Sequence, residues 1–309
     1  MSAETTRTTI ADGTVRDTPL RDLYQDWSAL IATGKLDMRL FRSLFDEWHK
    51  PTVEPEGVTY KEESVGGVPG IWALPVDADP ARVLIFLHGG GFAVGSAASH
   101  RKLAAHLAKA ARARAFVADY RLAPEHQHPA QVDDGIAIFS ALLAAGVDAR
   151  NISTVGDSAG ANLALAVPLA LRERGLPLPG HVVALSPWLD MENQGGTLFT
   201  HTAGDALNKG PELMEMMIQG VLGDHTSRRH PLANPLYADF AGFPPLYIDV
   251  GGAESLLDHA TRLADRAQEA GVDVTLEIAE GQQHVYPLLA GRDDEVDAEI
   301  ARIGTWLNT

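Results

Sequence analysis

The sequence predicts an α/β fold with a doubly wound, mostly parallel sheet. Two observations predict it: β-rich and helix-rich stretches alternate from residue 58 to the carboxyl end, and residues 83–87 form an uninterrupted apolar run, Val-Leu-Ile-Phe-Leu. Alternating β and α units are typical of sheets covered by helices on both faces. A strand without polar positions is expected where both faces of a parallel sheet are buried.

Residue periodicity places the individual segments. Runs of β-branched and apolar residues predict strands at 58–65, 68–74, 83–87, 115–120, 152–155, 181–186, 246–250 and 272–278. Apolar residues spaced by three and four predict helices at 99–112, 129–145, 161–174, 254–270 and 293–307. Gly66-Gly67 separates the first two strands and predicts a hairpin there.

Two stretches do not fit the alternation and predict a helical cap subdomain. Residues up to about 50 show two amphipathic helical patterns, and nearly sixty residues separate the strand ending near Pro187 from the strand at Leu246. We therefore divide the chain into a cap segment (1–52), a first core part (53–188), a cap insertion (189–235) and a second core part (236–309). The methionines of the stretch 211–222 suit an adaptable apolar pocket. Alternatively, this stretch is only helix packing, and the amino-terminal helices only cover a sheet face.

Composition restricts the class of protein. The chain has 309 residues, a formal net charge of −16 and no cysteine. Such acidity argues against nucleic acid or an anionic membrane as a partner, and the lack of cysteine excludes disulfides and a thiolate nucleophile. Residues 1–16 are polar and threonine-rich, without the apolar segment of a signal peptide, so we expect a cytoplasmic protein.

The sequence Gly156-Asp157-Ser158-Ala159-Gly160 joins a predicted strand to a predicted helix. Glycine on both sides is what a very tight strand-to-helix turn requires, because a side chain there would collide with neighbouring elements. Such a turn lifts a serine hydroxyl above the sheet and places the first amides of the helix beside it. Ser158 is therefore the candidate nucleophile, although an ordinary αβ turn gives the same short pattern.

A second glycine-rich stretch, His88-Gly89-Gly90-Gly91-Phe92, follows the buried strand directly. Consecutive glycines leave the main chain bare, so their N–H groups can converge on an oxyanion. A phosphate loop is the alternative. The chain has neither a G-x-x-x-x-G-K-[ST] pattern nor a G-x-G-x-x-G pattern that opens a helix. The lack of both disfavours a phosphate loop.

An activated serine needs a base and a carboxylate that orients the base. Among twelve histidines, His284 lies in a loop after the last core strand, from which its side chain can reach the turn at Ser158. The acid is expected after the strand at 246–250, where Glu254 comes first and Asp258 is the competitor. The chain order serine, acid, histidine is that of α/β-hydrolases.

Other polar clusters have simpler interpretations. His88 is expected to brace the glycine loop, and Arg121 to bind Asp133 or Asp134. Glu125, His126 and His128 resemble metal ligands, but the flanking prolines indicate a rigid turn instead. We predict no metal and no cofactor.

Three motifs in fixed order resemble the hormone-sensitive-lipase-like family of carboxylesterases. These are the glycine loop 88–92, the sequence Tyr-Arg-Leu-Ala-Pro-Glu-His at 120–126, and Gly-Asp-Ser-Ala-Gly-Ala-Asn at 156–162. The similarity extends from about residue 58 to the carboxyl end. It implies an α/β-hydrolase fold with a helical cap formed by the amino terminus and a mid-chain insertion.

The resemblance implies a role for each matching residue. Ser158 is the nucleophile, His284 the base and Glu254 the acid, while Asp258 is structural; the main-chain N–H groups of Gly90, Gly91 and Ala159 form the oxyanion hole. The sequence departs from the commonest family pattern at the acid, where most members have aspartate followed by proline. This glutamate variant resembles a branch that includes monoterpene ε-lactone hydrolases.

We expect the following side chains to line the substrate pocket: Phe92, Trp188, Met217, Val285 and Tyr286. The predicted activity is hydrolysis of small carboxylic esters of short to medium acyl chain through an acyl-enzyme. Lactone hydrolysis, amide hydrolysis or deacetylation, and a non-catalytic small-ligand receptor are the alternatives. A homodimer is common for this architecture.

Overall fold

The structure is a computed structural model that describes residues 15–208 and 210–309. The strands are β1 (Val58–Val65), β2 (Val68–Pro75), β3 (Val83–Leu87), β4 (Arg114–Ala118), β5 (Ile152–Asp157), β6 (His181–Leu185), β7 (Leu246–Gly251) and β8 (Val274–Ala279). They form a sheet in the order β1-β2-β4-β3-β5-β6-β7-β8, in which β1 and β2 are antiparallel to their neighbours and all other pairs are parallel. The predicted doubly wound, mostly parallel sheet is confirmed.

The α-helices are α1 (Pro19–Ala32), α2 (Met38–Phe45), α3 (Ala97–Ala110), α4 (Ala130–Ala144), α5 (Ala159–Glu173), α6 (Thr197–Thr200), α7 (Pro211–Leu222), α8 (Leu257–Glu269) and α9 (Asp294–Trp306). Side-chain caps set several of the starts: Thr18 accepts from the N–H of Arg21, and Asp37 accepts from that of Leu40. Such caps satisfy N–H groups that have no partner within the helix.

The strand β3 shows how the sheet separates two apolar clusters. Ile85 and Leu87 pack into the cluster with α4, α5 and α8, whereas Leu84 and Phe86 pack into the cluster with α3 and α9. Successive side chains of a strand point to opposite faces, and all five residues of β3 are buried. This confirms the prediction that the apolar run 83–87 is a strand buried on both faces.

One helix start and one long insertion matter for the site. The helix α8 begins at Leu257, three residues later than the periodicity predicts, so Glu254 lies in the turn after β7. In the long insertion between β6 and β7, the helices α6 and α7 take up part of the chain.

The helices α1 and α2 pack onto the sheet face that also carries α3 and α9. Their buried aromatic rings, from Tyr24, Trp27, Phe41 and Phe45, contact Trp48 and one another. The same segment reaches the sheet edge where Ser158 lies, because Phe45 and Trp48 line a cavity there. No helix within the described ranges is long and apolar enough to cross a membrane.

Candidate active site

Ser158 lies on the turn between β5 and α5 in an unusual main-chain conformation, with φ 53° and ψ −118°. Its N–H donates to the carbonyl of Leu185 at 2.9 Å. A Cβ at Gly156 would stand 2.2 Å from the carbonyl oxygen of Gly160, and one at Gly160 would stand 1.9 Å from that of Leu87. The clashing atoms belong to the main chain and cannot move away without displacing a strand or a helix, so this turn requires glycine at both positions.

The glycine loop that follows β3 runs beside this turn. Gly90 and Gly91 have φ of 113° and 60°, which only glycine adopts readily. The N–H of Gly89 donates to Asp157 Oδ1 at 3.0 Å, which ties the loop to the residue before Ser158. Within residues 15–208 and 210–309, no acceptor is found for the N–H groups of Gly90, Gly91 or Ala159. These three donors are therefore free to bind a ligand.

His88 braces this loop from behind, as predicted. Its Nδ1 donates to the carbonyl of Gly89 at 2.7 Å, and its ring stacks on Tyr120 with centroids 4.3 Å apart. Tyr120 in turn donates to the carbonyl of His88 at 2.6 Å. Burial, reinforced by nearby His100, lowers the pKa of His88 to about 3, so this imidazole is neutral at ordinary pH.

His284 and Glu254 form the central polar contact of the site. The distance from His284 Nδ1 to Glu254 Oε2 is 2.7 Å, and both side chains are buried. Because a carboxylate only accepts hydrogen bonds, this contact places the imidazole proton on Nδ1 and leaves the Nε2 lone pair free.

The charge of Glu254 makes the His284 imidazole easier to protonate. Burial alone would lower the pKa of His284, but the Glu254 charge and hydrogen bond outweigh it and raise the pKa above its usual value. Burial also raises the pKa of Glu254, while the contact with His284 acts in the opposite direction.

Asp258, the competing acid, has other partners. Its Oδ2 accepts from the N–H of Gly196 at 2.9 Å, and its Oδ1 accepts from the hydroxyl of Thr197 at 2.8 Å. These bonds hold the start of α6 against α8. The carboxylate in contact with His284 is that of Glu254.

Ser158 and His284 line one cavity of about 390 Å³ that is partly open to solvent. Its other lining residues are apolar except for one amide: Phe45, Trp48, Gly90, Gly91, Trp188, Leu207, Asn208, Leu213, Met214 and Met217. Residues of the amino-terminal segment and of the insertion thus meet core residues around the serine. Among the described residues that line this cavity, none is Lys, Arg, Asp or Glu.

Three of the residues expected in the pocket lie elsewhere. Phe92 lines a separate cavity of about 230 Å³, and its ring packs on Trp188 with centroids 5.7 Å apart. Val285 is fully buried in the cluster around α3 and α9, and its N–H donates to Ser186 Oγ at 2.9 Å. Tyr286 is buried, and its hydroxyl donates to Asp249 Oδ1 of β7 at 2.5 Å. Placing these three in the substrate cavity is wrong, because main-chain direction alone does not tell which way they face.

Within the polar cluster at 125–128, Glu125 has a structural partner. Arg42 of α2 makes hydrogen bonds of 2.9 and 2.6 Å to Glu125, and also donates to the carbonyls of Ala93 and Ala123. Arg121 binds Asp134, whereas Asp133 binds Arg174. In the described part of the chain, no group of three or more His, Asp or Glu side chains could hold a metal ion.

Several residues around the site carried no sequence signal. Tyr24 donates to the main-chain carbonyl of His284 at 2.9 Å, and Trp48 donates to the Tyr24 hydroxyl at 2.8 Å. Asp205 and Asn208, both buried, lie in the insertion beside the turn that carries Glu254. Nothing in their local patterns distinguishes them from packing residues, because their contacts are distant in sequence.

A serine on a strand-to-helix turn, a mostly parallel sheet and a histidine in contact with an acid define the α/β-hydrolase class of protein. A family model described as alpha/beta hydrolase fold matches residues 84–288. The chain belongs to this family.

Individual relatives agree with this membership. The chain is 38% identical over 268 residues to an acetyl-hydrolase of Streptomyces hygroscopicus, covering 81% of this chain and 89% of that protein. It is 32% identical over 238 residues to an esterase of Acinetobacter venetianus, covering 76% and 78%. The crystal structure of an esterase from the bacterial hormone-sensitive lipase family matches with a TM-score of 0.89 and 38% identity, covering 95% of this chain and 99% of that one.

Proposed function

We propose that the chain is a serine hydrolase that cleaves carboxylic esters through an acyl-enzyme on Ser158. The contact of 2.7 Å between His284 and Glu254, beside the cavity that Ser158 shares with His284, carries this proposal. The relatives named acetyl-hydrolase and esterase support it.

The chemistry follows from the groups around the cavity. Neutral His284 takes the proton of Ser158 Oγ through Nε2 as the oxygen attacks the ester carbonyl, and Glu254 stabilises the imidazolium that forms. The N–H groups of Gly90, Gly91 and Ala159 bind the negative charge that develops on the carbonyl oxygen. His284 then protonates the leaving alcohol, and a water molecule, deprotonated by the same imidazole, releases the acid.

The apolar lining favours neutral substrates, since a charged group would lose its hydration without gaining a partner. The acetyl-hydrolase name of the Streptomyces relative favours an acyl chain of short to medium length. Lactone hydrolysis is the second candidate. Glu254 in place of the usual aspartate favours it, since that feature underlies the resemblance to ε-lactone hydrolases.

One substrate series tests these assignments. p-Nitrophenyl acetate, butyrate and decanoate, a seven-membered lactone and an anilide are compared for kcat/KM, with Ser158→Ala as the control. We expect hydrolysis of the acetate and butyrate, loss of that activity in Ser158→Ala, and little cleavage of the anilide. Preference for the lactone would select the second candidate. A wild-type protein that binds these compounds without hydrolysing any would instead indicate a receptor.

A further inference from the structure

Residues 204–208 of the insertion, here called the 204–208 segment, contact both catalytic loops. Gln283, which precedes His284, donates through Nε2 to the carbonyl of Gly204 at 3.0 Å and accepts through Oε1 from the N–H of Ala206 at 2.7 Å. Both ends of this amide are therefore used, and the side chain is only 1% exposed. The loop that carries the imidazole is fastened to the insertion immediately beside His284.

Asp205 of the same segment fastens the loop that carries the acid. Its Oδ2 accepts from both the N–H and the hydroxyl of Ser255, each at 2.8 Å, and Ser255 directly follows Glu254. Its Oδ1 accepts from the N–H groups of Leu207 at 2.9 Å and Asn208 at 2.8 Å. The carboxylate is fully buried, and these four hydrogen bonds orient it.

The amino-terminal helix α1 adds to this arrangement. The hydroxyl of Ser28 donates to the carbonyl of Ala206 at 2.6 Å, and that of Tyr24 donates to the carbonyl of His284 at 2.9 Å. The 204–208 segment is therefore bound by α1 and itself binds the loops that carry His284 and Glu254.

We propose that Asp205 is a positioning residue for the catalytic groups. By binding Ser255, it holds Glu254 where its carboxylate contacts His284. This inference rests on the proposed function. A glutamate has three side-chain torsions, so its carboxylate stays on a target only if its main chain is anchored. Asp205 is not among the residues that line the cavity. Its described bonds are to Ser255, Leu207 and Asn208, so we argue that it acts through Glu254.

Asp205 also has an electrostatic effect that a purely mechanical anchor would lack. Its negative charge is among the causes that raise the pKa of His284, after burial, which acts in the opposite direction, and after Glu254. Asp157 acts in the same direction as Asp205. Removing the charge of Asp205 should therefore lower the pKa of His284.

Asp205→Asn tests the inference. The amide keeps an oxygen for Leu207 and Asn208 but turns an NH₂ group toward the N–H of Ser255, so two donors oppose each other. We expect kcat for p-nitrophenyl acetate to fall about 10- to 100-fold with little change in KM, as small displacements of catalytic groups do. The acid limb of the pH profile should move to lower pH.

Asp190→Asn is the matched control. Asp190 is also buried within the insertion and also accepts from two nearby N–H groups, those of Glu192 and Gln194, but it contacts neither catalytic loop at Glu254 or His284. It should lose thermal stability and keep both kcat and the pH profile. If Asp205→Asn behaves like Asp190→Asn, with a lower Tm alone, Asp205 is only structural and the inference is overturned.

Ser255→Ala decides the case if Asp205→Asn does not fold. It removes the hydroxyl bonds to Asp205 and to the carbonyl of Asn208 but leaves the N–H bond. A smaller fall in kcat in the same direction supports the inference, and an unchanged kcat overturns it. Activity in Ser158→Ala would instead refute the proposed function, so the two failures are distinguishable.

Discussion

Gly91 and Met217 face each other so closely across the cavity that a Cβ on Gly91 would stand 2.0 Å from Met217 Sδ. Gly91 belongs to the loop with free N–H groups, and Met217 belongs to α7 of the insertion. The thioether therefore covers the proposed oxyanion site. A methionine side chain is flexible and adapts to irregular space, so we expect its volume to limit the length of acyl chain that fits there.

Met217→Ala should shift the preference of the enzyme toward longer acyl chains. Removing the thioether enlarges the cavity above Gly91, and each buried methylene of a longer chain then contributes about 0.8 kcal/mol to binding. The ratio of kcat/KM for p-nitrophenyl decanoate to that for the acetate measures the effect. Met216→Ala is the control, since Met216 is 52% exposed on the same helix. Equal ratios in both variants would show that Met217 only packs the helix.

The activity should fall at acidic pH with a midpoint above about 6.5, the usual pKa of histidine. The reason is that Glu254 raises the pKa of His284, and only the neutral imidazole accepts the serine proton. kcat/KM between pH 4 and 9 gives the midpoint. The same midpoint with the butyrate assigns the titration to the enzyme. A rate independent of pH from 5 to 9 would contradict the role of His284.

The sequence is sufficient to predict the sheet, the turn at Ser158 and the glycine loop. Each of these depends on residues that are neighbours in the chain: a continuous apolar run such as β3, or glycines that a tight turn requires at 156 and 160. Local periodicity and steric limits determine such features directly. The resemblance adds the choice of Glu254 over Asp258, with which the contact to His284 agrees.

The lining of the cavity is not predictable in this way. Phe92 directly follows Gly91, and Val285 directly follows His284. Each has a positive φ, 62° for Phe92 and 52° for Val285, and its side chain points away from the cavity. Tyr24 and Asp205 reach the catalytic loops from α1 and from the insertion, through contacts that span 260 and 50 residues of sequence. Only tertiary packing brings such residues to the site.

Glu254→Gln and Asp258→Asn separate the two candidate acids. The amide introduced by Glu254→Gln cannot stabilise an imidazolium by charge and can present an NH₂ group to Nδ1 of His284. We therefore expect kcat to fall by about 10³- to 10⁴-fold, as loss of the acid does in serine hydrolases. Asp258→Asn should lower Tm by weakening the bonds to Gly196 and Thr197, and should leave kcat unchanged. The reverse pattern, with kcat lost only in the second variant, would assign the acid to Asp258.

Gly160→Ala and Gly220→Ala should change stability in opposite directions, although both glycines lie in helices. A Cβ at Gly160 would stand 1.9 Å from the carbonyl oxygen of Leu87 and 2.6 Å from that of His88, so it would push β3 and the glycine loop away from α5. Overpacking of this kind typically costs about 1–3 kcal/mol or more, and here it should also lower kcat.

Gly220 in α7 has no neighbouring atom within 4 Å of the added methyl group. Alanine at such a helical position stabilises by roughly 0.5–1 kcal/mol, because it restricts the unfolded chain. Denaturant unfolding of both variants, with kcat measured alongside, tests the pair. A Gly160→Ala protein with wild-type stability and kcat would mean that α5 can move away from β3 freely, which the tight packing of the turn at Ser158 argues against.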